Sequence, residues 1–186
     1  PHNPYNQQHA TYIRGISGYP VYSHSDTEYY EVGDTMYLRM MEEMEKAKRY
    51  ICLEFFIVSD GIMLDEIMDL MERKIKEGVE IFFVYDDLGT IFNLSKAAKK
   101  RLQDIGVRTA AFNPFRPHLS TVLNHRDHRK IVLIDGTVAF TGGINIADEY
   151  INQKERFGHW KDTGVMLHGE AAWAFGVMFF QNWNFT

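Results

Sequence analysis

The sequence predicts an α/β domain in which a mixed, largely parallel β-sheet is flanked by helices on both faces. Segments with helical apolar periodicity alternate with short runs of β-branched and aromatic residues, a pattern typical of a sheet buried between helices. In addition, 45% of the 186 residues are apolar, which is enough for one sizeable core. We therefore expect a single domain over residues 18–186, preceded by an N-terminal extension over residues 1–17.

Helices and strands follow each other in order along most of the chain. Apolar residues recur at helical spacing in four segments, at residues 35–48, 62–77, 94–103 and 169–183. Strand-like runs are found at residues 50–58, 79–85, 107–112 and 162–167. Gly78 and Gly106 follow the second and third helices, because glycine readily adopts the left-handed conformation that ends a helix.

A β-hairpin is predicted in the segment IVLIDGTVAFTGG. Asp135-Gly136 separates two apolar runs and is a strong signal for a two-residue turn, which pairs Ile134 with Thr137. Counting outward from this turn sets Lys130 opposite Thr141. The predicted register thus extends to the polar residues that precede the hairpin.

The same register sets His128 opposite Gly143. Because side chains two apart on a strand share a face, His128 and Lys130 are expected to act on one substrate. Gly142 and Gly143 are expected to leave space for a ligand and freedom for an unusual backbone turn. Asn145 follows at the rim of this candidate site.

The polar residues form an ordered pattern, H-x-K, then Asp after four residues, then G-G-x-N. Such a set suits phosphoryl or phosphodiester transfer. The imidazole of His128 can attack phosphorus, since it is neutral for much of the time near pH 7. Lys130 would neutralise charge on the non-bridging oxygens, and Asn145 would hold one of them. This scheme needs no metal or other cofactor, and we expect none.

Other residues near the motif allow more than one interpretation. Asp135 is a candidate catalytic residue, but its position in the turn favours a structural role in capping backbone amides. His125 and Arg126 are candidate ligands of a phosphate head group. A zinc site at His118, His125, Asp127 and His128 is an alternative, but the spacing fits no ordinary zinc pattern and no cysteine joins it.

Charge is unevenly distributed along the chain. The net charge of -5 argues against nucleic acid as a partner. Residues 26–87 contain 17 acidic and 7 basic side chains, whereas residues 96–130 contain 2 acidic and 9 basic ones. The basic segment leads directly into the His128 motif, where it would attract an anion.

The pattern of His128, Lys130, Asp135 and Asn145 resembles the HKD motif of the phospholipase D superfamily. The segments HRKIVLIDGTVAFTGGINIADEY and HWKDTGVMLHG resemble bacterial cardiolipin synthases in particular, and the resemblance runs from about Gly18 to the end. It implies that His128 forms a phosphatidyl-histidine intermediate whose phosphate is bound by Lys130 and Asn145. It also implies that Asp162 orients the nucleophilic or the acid/base histidine.

The resemblance further implies a second catalytic half. Enzymes of this type carry two HKD motifs, so that one histidine attacks while the other protonates the leaving alcohol. This chain has one motif and resembles the first, N-terminal half. The expected partners are therefore a second half of the same polypeptide or a homodimer mate, a phospholipid substrate such as phosphatidylglycerol, and a membrane surface. The expected location is the periphery of the bacterial cell membrane, although no apolar run in this chain is long enough to span it.

Three functions remain open from the sequence. The first is phosphatidyl transfer, in which two phosphatidylglycerol molecules give cardiolipin and glycerol. The second is phosphodiester hydrolysis by a related phospholipase or nuclease, in which water replaces the acceptor alcohol. The third is a non-catalytic module that binds anionic lipid or a protein partner through the basic segment.

Overall fold

The computed structural model describes residues 3–115 and 125–186, which contain a seven-stranded sheet and its covering helices. The strands are β1 Ser25–Tyr30, β2 Tyr50–Phe55, β3 Glu80–Asp86, β4 Arg108–Phe112, β5 Ile131–Ile134, β6 Val138–Gly142 and β7 Gly164–Gly169. The helices are α1 Pro4–Ser17, α2 Gly33–Glu45, α3 Ile62–Lys76, α4 Asp87–Thr90, α5 Lys96–Asp104 and α6 Ala172–Phe185, with a 3₁₀ turn at Asp148–Ile151. All eight helices and strands predicted from periodicity are present, displaced by at most a few residues at their ends.

The sheet is mixed, with strand order β1-β7-β6-β5-β2-β3-β4. Between the named strands of the described residues, only the β2–β3 and β3–β4 pairings are parallel. The other four pairings in the described part of the chain are antiparallel. The α/β class and the mixed sheet are confirmed, but the expectation of a largely parallel sheet is wrong. The reason is that β5 and β6 form a hairpin in the middle of the sheet and β7 and β1 extend it on the same side.

Helices cover both faces of the sheet, as predicted. α2, α3 and α5 pack over one face and contribute Met40, Ile67 and Leu102 to the larger apolar core. α6 covers the opposite face, where Phe179 packs with Leu133 of β5. Because alternate residues of β5 enter the two cores, this short strand is buried on both sides.

The hairpin register differs by one residue from the predicted one. Ile134 pairs with Val138, not Thr137, so the loop has three residues, Asp135 to Thr137. Asp135 and Gly136 both have positive φ, as expected of the turn pair, and the Thr137 N–H donates to the Ile134 carbonyl over 3.1 Å. The hydrogen-bonded strand begins at Ile131, so His128 and Lys130 precede β5 and do not form the predicted pairs.

Two elements near the N-terminus were not predicted. α1 is largely exposed, so it lacks the apolar stripe of a buried helix, although Asn3 caps its first turn and Gly18 its last. β1 is an edge strand with four consecutive exposed residues, so it shows no alternation of apolar and polar side chains. Residues 3–115 and 125–186 contain no helix that is long and apolar enough to cross a membrane.

Candidate active site

His128 and Lys130 lie in an irregular segment, residues 125–130, that leads into β5. The His128 side chain is exposed, and its ring lies 4.9 Å from the ring of Phe56, measured between centroids. The Lys130 ammonium lies 5.4 Å from the centroid of the same Phe56 ring. Phe56, just beyond the end of β2, therefore brings the imidazole and the ammonium to one place.

Lys130 is a buried cation, only 5% exposed. Its ammonium donates to the backbone carbonyl of His128 over 2.8 Å. Burial lowers the pKa of Lys130 from 10.5 to about 8, against the opposing effects of the Asp127 and Asp162 carboxylates. The Lys130 side chain is thus held beside His128. Two carboxylates, Asp127 and Asp162, act on its positive charge from a distance, and the ammonium is available to an incoming anion.

Asn145 is buried just beyond β6, and its amide is held at both ends. The side-chain oxygen accepts a hydrogen bond from the Ile57 N–H over 2.9 Å. The amide nitrogen donates to the Tyr150 hydroxyl over 3.0 Å. Because an amide nitrogen carries two hydrogens, this contact leaves the second one as a potential donor to a substrate.

Asp162 lies beside Gly143, and this close approach explains the pair of glycines. A Cβ atom at Gly143 would overlap the Asp162 carboxylate, and one at Gly142 would overlap the backbone of Thr163. The predicted open space for a ligand at these glycines is therefore occupied by Asp162 and by the chain entering β7. Neither glycine has positive φ, so both are required here by space and not by conformation.

The Asp162 carboxylate accepts hydrogen bonds from two groups near the site. The indole N–H of Trp160 donates over 3.4 Å, and the Thr163 N–H donates over 3.0 Å. Trp160 also packs edge-to-face on Tyr150, with ring centroids 4.9 Å apart, and Tyr150 contacts Asn145. Asp162 and Asn145 thus belong to one connected arrangement, and the field of Asp162 reaches the Lys130 ammonium.

Asp135 lies at the far end of β5 from Lys130. Its carboxylate accepts three backbone hydrogen bonds, from the N–H groups of Lys48, Arg49 and Tyr50, at 2.8, 2.8 and 2.9 Å. Both oxygens are used in fixing the start of β2 to the turn of the hairpin. The structure therefore brings together His128, Lys130, Asn145 and Asp162, and places Asp135 elsewhere.

The side chains of Arg126 and His125 contact other groups than the four grouped residues. The Arg126 guanidinium pairs with the buried Asp86 carboxylate over 3.1 Å and donates to the Asn113 carbonyl over 3.2 Å. Its charge is therefore already neutralised inside the protein. His125 is exposed and lines a mostly apolar cavity of about 500 Å³ with Phe112 and Phe185.

The alternative zinc interpretation gains no support from the structure. His118 lies outside the described residues. Asp127 is buried and its carboxylate contacts Arg129 and Asn182. Within residues 3–115 and 125–186, no three His, Cys, Asp or Glu side chains gather in a way that could hold a metal ion.

Comparison with known proteins identifies the family. The family described as "Cardiolipin synthase, PLD-like domain" matches residues 40–166, more than half of the chain. The chain belongs to this family. It is 37% identical over 167 residues to a cardiolipin synthase of Alkalihalophilus pseudofirmus, covering 89% of this chain and 33% of that protein. It is 42% identical over 152 residues to cardiolipin synthase 2 of Bacillus anthracis, covering 81% of this chain and 29% of that protein.

The cardiolipin synthase relatives are therefore about three times as long as this chain, and it matches one part of each. The fold is also that of solved phospholipase D structures. The phospholipase D family member Nuc from Salmonella typhimurium superposes with a TM-score of 0.62 at 18% identity, covering 86% of this chain and 93% of that chain. A phosphatidylserine synthase of Haemophilus influenzae gives a TM-score of 0.63 at 17% identity, covering 78% of this chain and 34% of that chain.

Several residues of the site were not predicted from the sequence. Phe56 and Tyr150 are aromatic side chains among many, and no sequence feature distinguishes them. Glu54 and Asp127 are buried acids in contact with each other behind the site. A signal existed for Glu54, because it is the only charge in the apolar run YICLEFF and a lone acid in a central strand is rare without a partner.

Proposed function

We propose that this chain is the first catalytic half of a phosphatidyltransferase that converts two phosphatidylglycerol molecules into cardiolipin and glycerol. The observation that carries the proposal is the meeting of His128 and Lys130 at Phe56, with Asn145 and Asp162 as the other grouped residues. Membership of the cardiolipin synthase family supports phospholipid as the substrate class.

In the first step, a ring nitrogen of His128 attacks the phosphorus of phosphatidylglycerol. A P–N bond forms, the bond from phosphorus to the glycerol head group breaks, and glycerol leaves after gaining a proton. The Lys130 ammonium and the second Asn145 N–H stabilise the negative oxygens in the transition state. Asp162 accepts a histidine N–H and so fixes the ring orientation.

In the second step, a hydroxyl group of another phosphatidylglycerol attacks the phosphatidyl-histidine. The P–N bond breaks, a new P–O bond forms, and cardiolipin is released with His128 restored. The acceptor hydroxyl gives its proton to the base that protonated glycerol in the first step. Over the two steps one phosphodiester bond is broken and another is formed, so ATP is not required.

The acid and base of both steps is a second histidine from outside this chain. We assign it to a second half of the same polypeptide, since the cardiolipin synthase relatives are about three times as long. A second copy of this chain, related by a two-fold axis, is the other arrangement that would supply it. Because the substrates reside in a bilayer, the working protein would lie at the periphery of the bacterial cell membrane.

Turnover of phosphatidylglycerol by the full-length protein tests the proposal. The expected products are cardiolipin and glycerol, and replacing His128 with Ala should abolish both. Replacing His168, an exposed histidine on β7, should leave turnover unchanged. Formation of phosphatidic acid alone would identify the enzyme as a hydrolase, and undiminished turnover by H128A would reject His128 as the nucleophile.

A further inference from the structure

A polar cluster lies behind the candidate active site, where α6 packs on the sheet. The Arg129 guanidinium Nε lies 2.8 Å from Glu54 Oε1 and 2.9 Å from Asp127 Oδ1. The Asn182 amide donates to the same two carboxyl groups, over 3.1 Å to Glu54 and 2.8 Å to Asp127. Glu54, Asp127 and Asn182 are each at least 94% buried. The proposed mechanism uses none of these residues.

The cluster and the candidate catalytic residues occupy alternate positions in one segment. Asp127 and Arg129 direct their side chains toward Glu54 and Asn182. Between and beyond them, His128 and Lys130 contact Phe56. Side chains alternate between faces in an extended chain, so a group that holds residues 127 and 129 also fixes residues 128 and 130.

Few backbone contacts hold this segment. Residues 125–130 are outside the helices and strands, and β5 begins at Ile131. The Asp127 N–H donates to the buried Asp86 carboxylate over 2.9 Å, and the Arg129 N–H donates to the Asp127 carboxylate over 3.2 Å. Side chains therefore replace the strand ladder in positioning the backbone of His128.

We propose that Glu54, Asp127 and Asn182 are positioning residues that hold His128 and Lys130 in their reactive arrangement from the opposite face of the sheet. The proposal rests on the proposed function of His128 and Lys130. It assigns α6 a role beyond covering the sheet, because Asn182 of this helix donates a hydrogen bond to Asp127 in the segment 125–130. It also separates Asn182 from Phe179, a neighbour on α6 that packs in the apolar core.

The charge balance of the cluster supports a protonated Glu54. Burial raises the pKa of Glu54 well above its usual range, and the hydrogen bond with Asp127 raises it further. The Arg129 guanidinium opposes this rise in the pKa. The buried Cys52 thiol, two residues before Glu54 on β2, lies near the same carboxyl group. Glu54 Oε2 is buried without a hydrogen-bond partner among the described residues, which favours the neutral acid because an unpartnered negative oxygen is the costlier one to bury. With Glu54 protonated, Asp127 supplies the one negative charge that faces Arg129.

The histidine ring signals of the 186-residue chain, measured by NMR with labelled histidine, test the proposal without any need for turnover. The His128 signals are assigned by their loss in H128A. We expect Asn182→Leu and Glu54→Leu to move these signals, and Glu54→Gln to restore them, because an amide imitates the protonated acid. Phe179→Leu, which disturbs α6 only through apolar packing, should leave the His128 signals in place. Unmoved His128 signals in folded N182L would overturn the proposal, and N182L alone decides it if E54L does not fold.

Turnover by the full-length protein gives a second, independent readout. N182L should lower kcat by about a hundredfold with little change in KM, as expected when a reacting group is displaced by about 1 Å. F179L should keep kcat even if it lowers the melting temperature as much as N182L does. Equal kcat values for N182L and F179L would contradict the positioning role. Failure of the proposed function would look different, since H128A itself would then remain active.

Discussion

The two ends of β5 carry polar residues of the same sequence motif but use them in different ways. At the turn, Asp135 accepts three backbone hydrogen bonds and is fully used by the fold. At the other end, Lys130 donates one hydrogen bond within the described part of the chain, to the His128 carbonyl, and stays buried with a lowered pKa. A saturated group stabilises structure, whereas an unsaturated buried charge is costly and, in the proposed function, is retained to bind the phosphate. The comparison separates structural from chemical residues within a single motif.

The largest expected effect is the loss of catalysis at the Lys130 end. Lys130→Met should lower kcat/KM by roughly a hundredfold to a thousandfold, the usual effect of removing one donor to a transition-state anion. Folding should be kept, because Met fills the space of a buried lysine without its desolvation cost. Steady-state turnover of phosphatidylglycerol checks this, with the Lys154→Met protein as the control. If K130M has the kcat/KM of the wild type, Lys130 takes no part in the reaction.

The opposite result is expected at the turn. Asp135→Ala should lower the free energy of unfolding by roughly 3 kcal/mol, because three backbone N–H groups lose a charged acceptor. Turnover per folded molecule should be unchanged, since no described contact links Asp135 to His128. Urea denaturation followed by fluorescence measures the first quantity, with the exposed Asp104→Ala variant as the control. A D135A protein that is as stable as the wild type but inactive would contradict the structural role of Asp135 and give it a chemical one.

The pH dependence of kcat/KM should sharpen the comparison further. Lys130 is charged below its pKa of about 8 and neutral above it, so its attraction for phosphate is lost as the pH rises. We expect kcat/KM to fall above pH 8 by up to about tenfold per pH unit. Lys130→Arg should shift this fall to higher pH, because arginine stays protonated. A pH profile of K130R that coincides with that of the wild type would assign the fall to another group.

The last expected effect is a pH dependence of stability at Glu54. Its pKa is raised in the folded protein, so between its usual range and its folded value the native state binds more protons than the unfolded one. Stability therefore falls as the pH rises through this range, by up to about 1.4 kcal/mol per pH unit. Glu54→Gln should remove this slope and raise the melting temperature at neutral pH. If the melting temperatures of E54Q and the wild type change with pH in the same way from pH 5 to 8, Glu54 is ionised in the folded protein.

The sequence predicted much of the fold because the buried elements carry strong periodic patterns. α3 and β3 were found within one residue at each end. The hairpin turn was also found at Asp135 and Gly136, yet a third loop residue changed its register. A sequence cannot distinguish two loop lengths when Ile134 can pair equally well with either of two following residues. The direction of strands was predicted wrongly because periodicity is the same for parallel and antiparallel neighbours.

For the candidate site, the sequence predicted the residues that the structure groups together but not the residues that hold them. His128, Lys130, Asn145 and Asp162 stand out by spacing or by resemblance. Arg126, in contrast, was expected near the phosphate but pairs with Asp86, a contact between positions 40 residues apart. Spacing along the chain gives no information about such contacts. They depend on the order of strands in the sheet, which brings β3 next to β2 and the segment before β5 close to both.

The central claim is that His128 becomes covalently attached to the phosphatidyl group. The most direct test is mass spectrometry of the full-length protein, quenched with denaturant soon after mixing with phosphatidylglycerol, before the intermediate is consumed. The account predicts a phosphatidyl adduct on the peptide that contains His128, and its absence in H128A. A protein that forms cardiolipin with no adduct on His128, or with an adduct on another residue, would contradict it.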